Sequence, residues 1–282
     1  PMVENNAEIS ADNINVPKKE GKTKGQVWSS FKQVLMIPQL IMHTLMTLCF
    51  SLGNGFRYAL ITYVMIYTAG LTAGEQATVW SFSSISNYAF LFLSIILVNL
   101  IGSRRLVFVG AFILAAGSSF YYYFQGLNGL TALVVFMVLF VAIESPFWAM
   151  WFNISFDIAD IDEFLYGKRR TALVASISMF MVKIGPTVSL ITTGLLLKAA
   201  GYVEGGSEQI PEVGEALGGY ITLLSGIFFA LGAIAFCRYN INRKNSSALN
   251  EALEKRRNGE SYSTEGFKEL LPKWYKKEHN IE

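Results

Sequence analysis

The sequence predicts an all-α membrane protein of six transmembrane helices, on three observations. Charge is scarce: 16% of the 282 residues are charged and 52% hydrophobic, with a mean hydropathy of +0.38. A soluble domain of this size carries about 25% charged residues. Six apolar runs, near 37–68, 76–101, 106–124, 130–156, 171–199 and 218–240, approach or exceed the ~20 residues that cross a hydrocarbon core. Backbone in lipid must satisfy its own hydrogen bonds, and the runs lack the alternation of a barrel, so each reads as a helix. The third observation is charge asymmetry. Of 23 Lys and Arg, twenty fall in the N-terminal tail, the "GSRR" and "YGKRR" connections and the C-terminal tail, which lie on one side. Lys198 alone lies opposite, and Arg57 and Lys183 sit inside spans. The positive-inside rule then makes both termini cytoplasmic, in a cell (inner) membrane.

The elements follow in order. Residues 1–36 form a polar cytoplasmic linker ending in an amphipathic helix, with Val27, Trp28, Phe31, Val34 and Leu35 on one face suited to the headgroup region. Residues 37–240 form the six-helix bundle and 241–282 a cytoplasmic tail. In the tail, "SALNEALEKRR" reads as a helix, either against an anionic inner leaflet or solvated. In the second span, Trp80, Ser83, Ser84 and Asn87 either line a pathway or join helices, and the last span carries Gly226 and Ala230 at packing spacing. His43 reads as a packed histidine. Cys49 and Cys237 lie in apolar runs and suggest neither a disulfide framework nor a metal site. A net charge of +2 gives no argument for nucleic acid. No helix carries a paired-acid, zinc-ligand or nucleophile–base arrangement, so neither an enzyme nor a cofactor is expected.

Three charges stand where lipid would exclude them: Arg57 in the first span, Glu144 in the fourth and Lys183 in the fifth. A lysine at a helix centre costs about 2.5–3.5 kcal/mol of insertion. The twelve Leu, Ile, Val and Phe residues around Lys183 return roughly 4–7 kcal/mol, so the span still inserts. Lys183 lies about 18 Å from the end of its helix at 1.5 Å per residue, too deep for its amine to reach the interface. It therefore faces a polar cavity or a partner, Glu144 or a solute. Gly185 and Pro186 are expected to loosen the helix just beyond it. Glu144, Trp148 and Trp151 share a helical face by spacing, with Pro146 able to kink between them. Two readings stay open: a substrate cavity formed by Lys183, Trp148, Glu144 and Arg57, or an ion-pair cluster that fixes helix packing.

The stretch "DIADIDEFLYGKRR", residues 157–170, reads as a cytoplasmic loop with an acidic start and a basic end. It lacks the glycine and closing glutamate of a calcium-binding EF-hand loop. It is either a solvated loop or a salt-bridge latch between moving helices. Followed by the lysine of "MVKIG" and by "GLLLKAAGY", this stretch resembles the glycoside–pentoside–hexuronide:cation symporters, the melibiose-permease group of the major facilitator superfamily. Asp157 and Asp160 match that family's Asp pair, Glu163 its following acid and Arg169 its basic position, beside Arg170. Lys183 matches a lysine of the sugar and cation region. Phe147 and Trp148 match a Phe-Trp pair whose Trp packs at the sugar, and Tyr63 and Tyr67 match terminal tyrosines of the seventh helix. "LIGSRR" is a degenerate form of the superfamily's loop between helices eight and nine. Ser178 and Met179 replace polar residues that precede the family lysine, and Glu144 and Arg57 are not part of the family pattern.

The resemblance covers roughly residues 26–257 and implies the C-terminal half of a major-facilitator fold. It also implies a cytoplasmic gate built from Asp157, Asp160, Glu163, Arg169 and Arg170. The implied activity is secondary transport of a small solute, a sugar or glycoside, coupled to sodium or protons. The implied partners are the solute, the coupling cation, the bilayer and an N-terminal six-helix half outside this chain. The alternative is a non-transporting membrane scaffold or sensor that keeps the fold.

Overall fold

The computed structural model describes residues 24–205 and 209–279, and Lys18, Lys19 and Lys22 of the expected basic tail lie outside them. The described residues are helical with short connections: α1 (Lys24–Leu35), α2 (Pro38–Tyr63) with a π-helical turn at Val64–Thr68, α3 (Ala73–Ile101), α4 (Arg104–Gln125), α5 (Gly129–Tyr166), α6 (Thr171–Ala199), α7 (Pro211–Phe236), α8 (Arg243–Arg257), a 3-10 turn (Glu265–Leu270) and α9 (Lys273–Glu278). Helices α3 to α7 are each long and apolar enough to cross a membrane; α2 makes a sixth only when counted with α1, which is bent 85° away from it. The physical reason is that α2 turns Gln39, His43, Thr47, Asn54 and Arg57 into the bundle, which dilutes its apolar content.

Punctuation in the sequence sets the helix ends. Pro38 and Pro211 occupy first-turn positions, where the missing N–H costs nothing. Thr72 and Glu75 make a capping box that starts α3. Gly102 and Gly167 end α3 and α5 with φ of 70° and 66°, a left-handed conformation that glycine adopts without a Cβ clash. Helix α6 runs unbroken through Gly185 and Pro186, contrary to the expected loosening. The glycine serves close packing instead. A Cβ at Gly185 would stand 2.3 Å from Ser51 Cβ, and one at Gly55 2.6 Å from Ser189 Oγ, so α2 and α6 touch backbone to backbone. Gly226 lets α7 approach Phe120 and Ser119 of α4 in the same way, as its spacing suggests.

The core lies along α2, α4, α5 and α7, with Phe50, Phe108, Phe112, Phe136, Phe140, Phe147, Phe229 and Phe236 all buried. Two corrections concern the end of the bundle where the chain enters. Residues 157–166 are not a loop: α5 continues to Tyr166, burying Ile158, Ile161 and Phe164 on one face. The C-terminal segment is more than a free tail: it docks on the bundle through one face, while the other face of α8 stays exposed. Leu249, Ala252 and Leu253 of α8 are buried, and Phe267 and Tyr275 pack around Phe164. Gln39 ties this segment to α2 by donating to Asn240 Oδ1 at 3.1 Å and to the Leu270 carbonyl at 3.0 Å.

Candidate functional site

Arg57 and Glu144 meet at the middle of the bundle. Arg57 is 1% exposed and Glu144 8%, and Arg57 Nη2 donates to Glu144 Oε2 at 2.8 Å. The guanidinium also donates through Nε and Nη2 to Asn54 Oδ1, at 3.1 and 2.8 Å, one helical turn earlier on α2. It lies 4.0 Å from the centroid of the Tyr58 ring and 4.5 Å from that of Phe140, a cation–π arrangement that offsets lost hydration. The Tyr58 hydroxyl donates to the other carboxylate oxygen, Glu144 Oε1, at 2.9 Å. Both oxygens of the acid are thus engaged, as a buried charge requires.

This cluster backs an open cleft between α2, α5 and α6 with a volume of about 500 Å³. Asn54, Tyr58, Glu144 and Trp148 supply its polar and aromatic wall, and Phe50, Val182, Pro186 and Leu190 the apolar remainder. Apolar walls with a few converging polar groups are what small-molecule sites present. Phe147 stacks on Phe50 with ring centroids 3.6 Å apart, which turns its neighbour Trp148 outward to 44% exposure. Trp80 of α3 lies parallel to Tyr58, with centroids 6.5 Å apart.

The tryptophans expected on one face divide. Trp151 is fully buried and donates its indole N–H to Thr47 Oγ1 at 3.1 Å, beside His43. His43 is itself packed, within 3.2 Å of the Ser155 hydroxyl. The structure does not bring Lys183 to Glu144. Among the described residues Lys183 makes no ion pair, and its side chain is exposed. It lines a neighbouring hollow of about 420 Å³ on the α5–α6 seam, with Trp151, Phe152, Ser176, Met179 and Phe180. Asn87 of α3 serves as a helix link, accepting from the Ser145 hydroxyl through its side-chain and backbone oxygens at 3.0 and 2.8 Å.

At the end of α5 the acids are held by arginines from several elements, Asp160 and Glu163 sharing Arg169. Arg169 Nη2 contacts Asp160 at 2.8 Å and its Nε lies 3.9 Å from Glu163. Asp157 is held by Arg104, from the start of α4, and Glu163 by Arg257 of α8 at 2.6 Å. Arg170 is different. It grips Asp162 through Nε and Nη2 at 2.9 and 2.6 Å, with the acid fully buried, and reaches Gln33 Oε1 of α1 at 2.7 Å. Asp162 was not among the expected gate residues. Burial raises the Asp157 and Asp160 carboxyls above the ordinary aspartate value, against the opposing pull of Arg104 and Arg169 respectively. At the opposite end of the bundle Tyr63 and Tyr67 cluster with Tyr202, and the Thr68 hydroxyl donates to the Gly214 carbonyl at 2.6 Å.

A bundle of helices long and apolar enough to cross a membrane, with a side cleft whose apolar walls carry a few polar groups, defines the class: a polytopic membrane protein. A family model described as MFS/sugar transport protein matches residues 6–243, and the chain belongs to that transporter family. A search of curated proteins finds no match.

Proposed function

We propose that the chain is the C-terminal half of a cation-coupled symporter of the melibiose-permease group, carrying a sugar or glycoside with sodium or protons. The observation that supports it most is the cleft itself: a carboxylate and an indole face open space between spanning helices, backed by a buried guanidinium. Glu144, Asn54 and Tyr58 offer hydrogen-bond partners for hydroxyls, and the Trp148 face offers a stacking surface for sugar C–H groups. Arg57 acts from behind, holding the Glu144 carboxylate in orientation through the 2.8 Å contact. Lys183 lies one step along the same seam and presents its ammonium to the solute, or to the facing N-terminal half, since lipid would not tolerate it. The coupling cation is assigned to acids of that half, as the resemblance implies. No covalent step on the solute is invoked.

Both termini are proposed to be cytoplasmic in a cell (inner) membrane. The pairs around Asp157, Asp160, Glu163, Arg169 and Arg170 are then a gate that opens when the halves rock. The test is sugar binding by the transporter reconstituted with an N-terminal half, using Lys183→Met and Trp148→Ala. Lys183→Met should insert as well as the parent or better. Its affinity should fall about tenfold or more, the worth of one hydrogen bond to a charged group. Binding at parental affinity in the lysine-free protein would remove Lys183 from the site. Parental affinity in both variants would overturn the cleft reading.

A further inference from the structure

Helices α3 and α4 are joined by only Gly102 and Ser103, yet they splay apart and leave two hollows beside that turn. One is an apolar groove of about 300 Å³ along the membrane-facing side, walled by Leu97, Ile101 and Leu106 and floored by Ala142 and Pro146 of α5. Gly110 lines it, and a Cβ there would meet no atom within 4 Å, so the groove has free room at that point. The other is a polar cavity of about 390 Å³ at the end of the spans, lined by Asn99, Arg104, Arg243, Ser246 and Asn250. Neighbouring residues divide between the two. Leu97 and Ile101 face the groove, and Val98 and Gly102 face the cavity.

The cavity is electrostatically incomplete. Helices α4 and α8 each begin with two basic residues, Arg104–Arg105 and Arg243–Lys244, and neither has an acid in its first turn. Helix starts ordinarily favour acids. The one acid lining the cavity, Asp157, is already taken by Arg104 and lies 3.4 Å from the Ser246 hydroxyl. Among the described residues Arg243 makes no ion pair, and it is exposed. Beside the mouth, Leu100 and Leu106 are exposed apolar side chains at 78% and 53%, as residues that face lipid are. We propose that this corner binds an anionic glycerophospholipid, its phosphate between Arg104 and Arg243 and an acyl chain in the α3–α4 groove. A free phosphate would satisfy only the polar cavity. An amphiphile with a phosphate at the bilayer interface satisfies both, and basic clusters at that depth attract anionic lipid. The site is separate from the solute cleft, which opens on the Glu144–Trp148 side of α5.

The purified full chain in detergent is titrated with phosphatidylglycerol or phosphatidylcholine, and retained lipid is read by native mass spectrometry. Phosphatidylglycerol should be retained in preference. Arg243→Gln should weaken its retention about fivefold, the worth of one basic residue near an anionic surface. Gly110→Leu, which fills the groove and leaves the cavity untouched, should abolish retention at a parental melting temperature. Arg104→Gln would also free Asp157, so the Arg243 and Gly110 variants carry the test. Equal retention of the two lipids, or parental retention by Gly110→Leu, would overturn the proposal. So would displacement of phosphatidylglycerol by equimolar glycerol phosphate, which would mark a site for soluble phosphate.

Discussion

Arg57 shows how one residue's surroundings decide whether a charge in a span is tolerable. Its guanidinium has a carboxylate, an amide oxygen and two aromatic faces within reach, so most of its lost hydration is replaced. Breaking such a pair from one side leaves a buried charge alone, which costs about 3–5 kcal/mol, whereas replacing both partners by apolar groups is often neutral. Glu144→Leu should therefore melt well below the parent in detergent, and Arg57→Met with Glu144→Leu should recover most of the loss. A double variant no better than the single would show that the pair's packing, not its charge, holds α2 to α5. The pairing was not legible in the sequence. Spacing and hydropathy fix how deep a residue lies, but not which way it points around its helix. Glu144 shares its cleft with Val182, Pro186 and Leu190 of α6, whereas Lys183 lies beside Trp151 and Phe152, about two turns along α5, so helix register and azimuth together separate the lysine from the acid.

The end of α5 carries the lesson at the scale of an element. Acids at 157, 160 and 163 give the segment the charge density of a loop and mask its periodicity. Ile158, Ile161 and Phe164 at the same three-residue spacing are the apolar stripe of a continuing helix. The two arginines that follow have different duties. Arg169 is half-exposed and its pairs are surface pairs, worth about 0–1 kcal/mol, so Arg169→Ala should leave melting almost unchanged. If the gate reading holds, the same variant changes transport rate in the reconstituted protein. Arg170→Ala strands the buried Asp162 and should cost several kcal/mol, readable as poor expression or early melting. The acids also set a pH dependence. Because burial raises Asp160, the folded chain binds a proton there more readily than the unfolded chain. That contribution is complete below the ordinary aspartate value and is lost as pH rises through the raised one. Melting temperature should fall across this acid window in the parent and fall less in Asp160→Asn.

For the whole molecule, the existence and order of the spans were legible because apolar length is a strong signal, but their ends were less so: α5 runs ten residues past its apolar run and α7 begins seven residues before its own. The docked C-terminal segment was not. Its helix was visible, but Leu249, Ala252 and Leu253 bury a face too small to announce a partner. Topology provides the global test. The turns bearing Arg104 and Arg170 share one end of the bundle with α8, and the Tyr67–Tyr202 cluster lies at the other. A cysteine placed at Val203 should react with an impermeant reagent on intact cells, in a background lacking Cys49 and Cys237, and one placed at Glu260 should not. The reverse pattern would invert the orientation.

Gly185 and Gly55 seat α2 and α6 in one another like a tenon in a mortise. Parts joined in that way cannot slide lengthwise without first lifting apart, so shear between these two helices is closed to the protein. Hinge-like tilting of both as a single lever remains. One arm of that lever forms a wall of the cleft beside Glu144, and the other ends beside Arg170 and its grip on α1. Spin labels on the outer faces of α2 and α6 should therefore keep their separation when sugar is added, even if the distance from α6 to α5 changes.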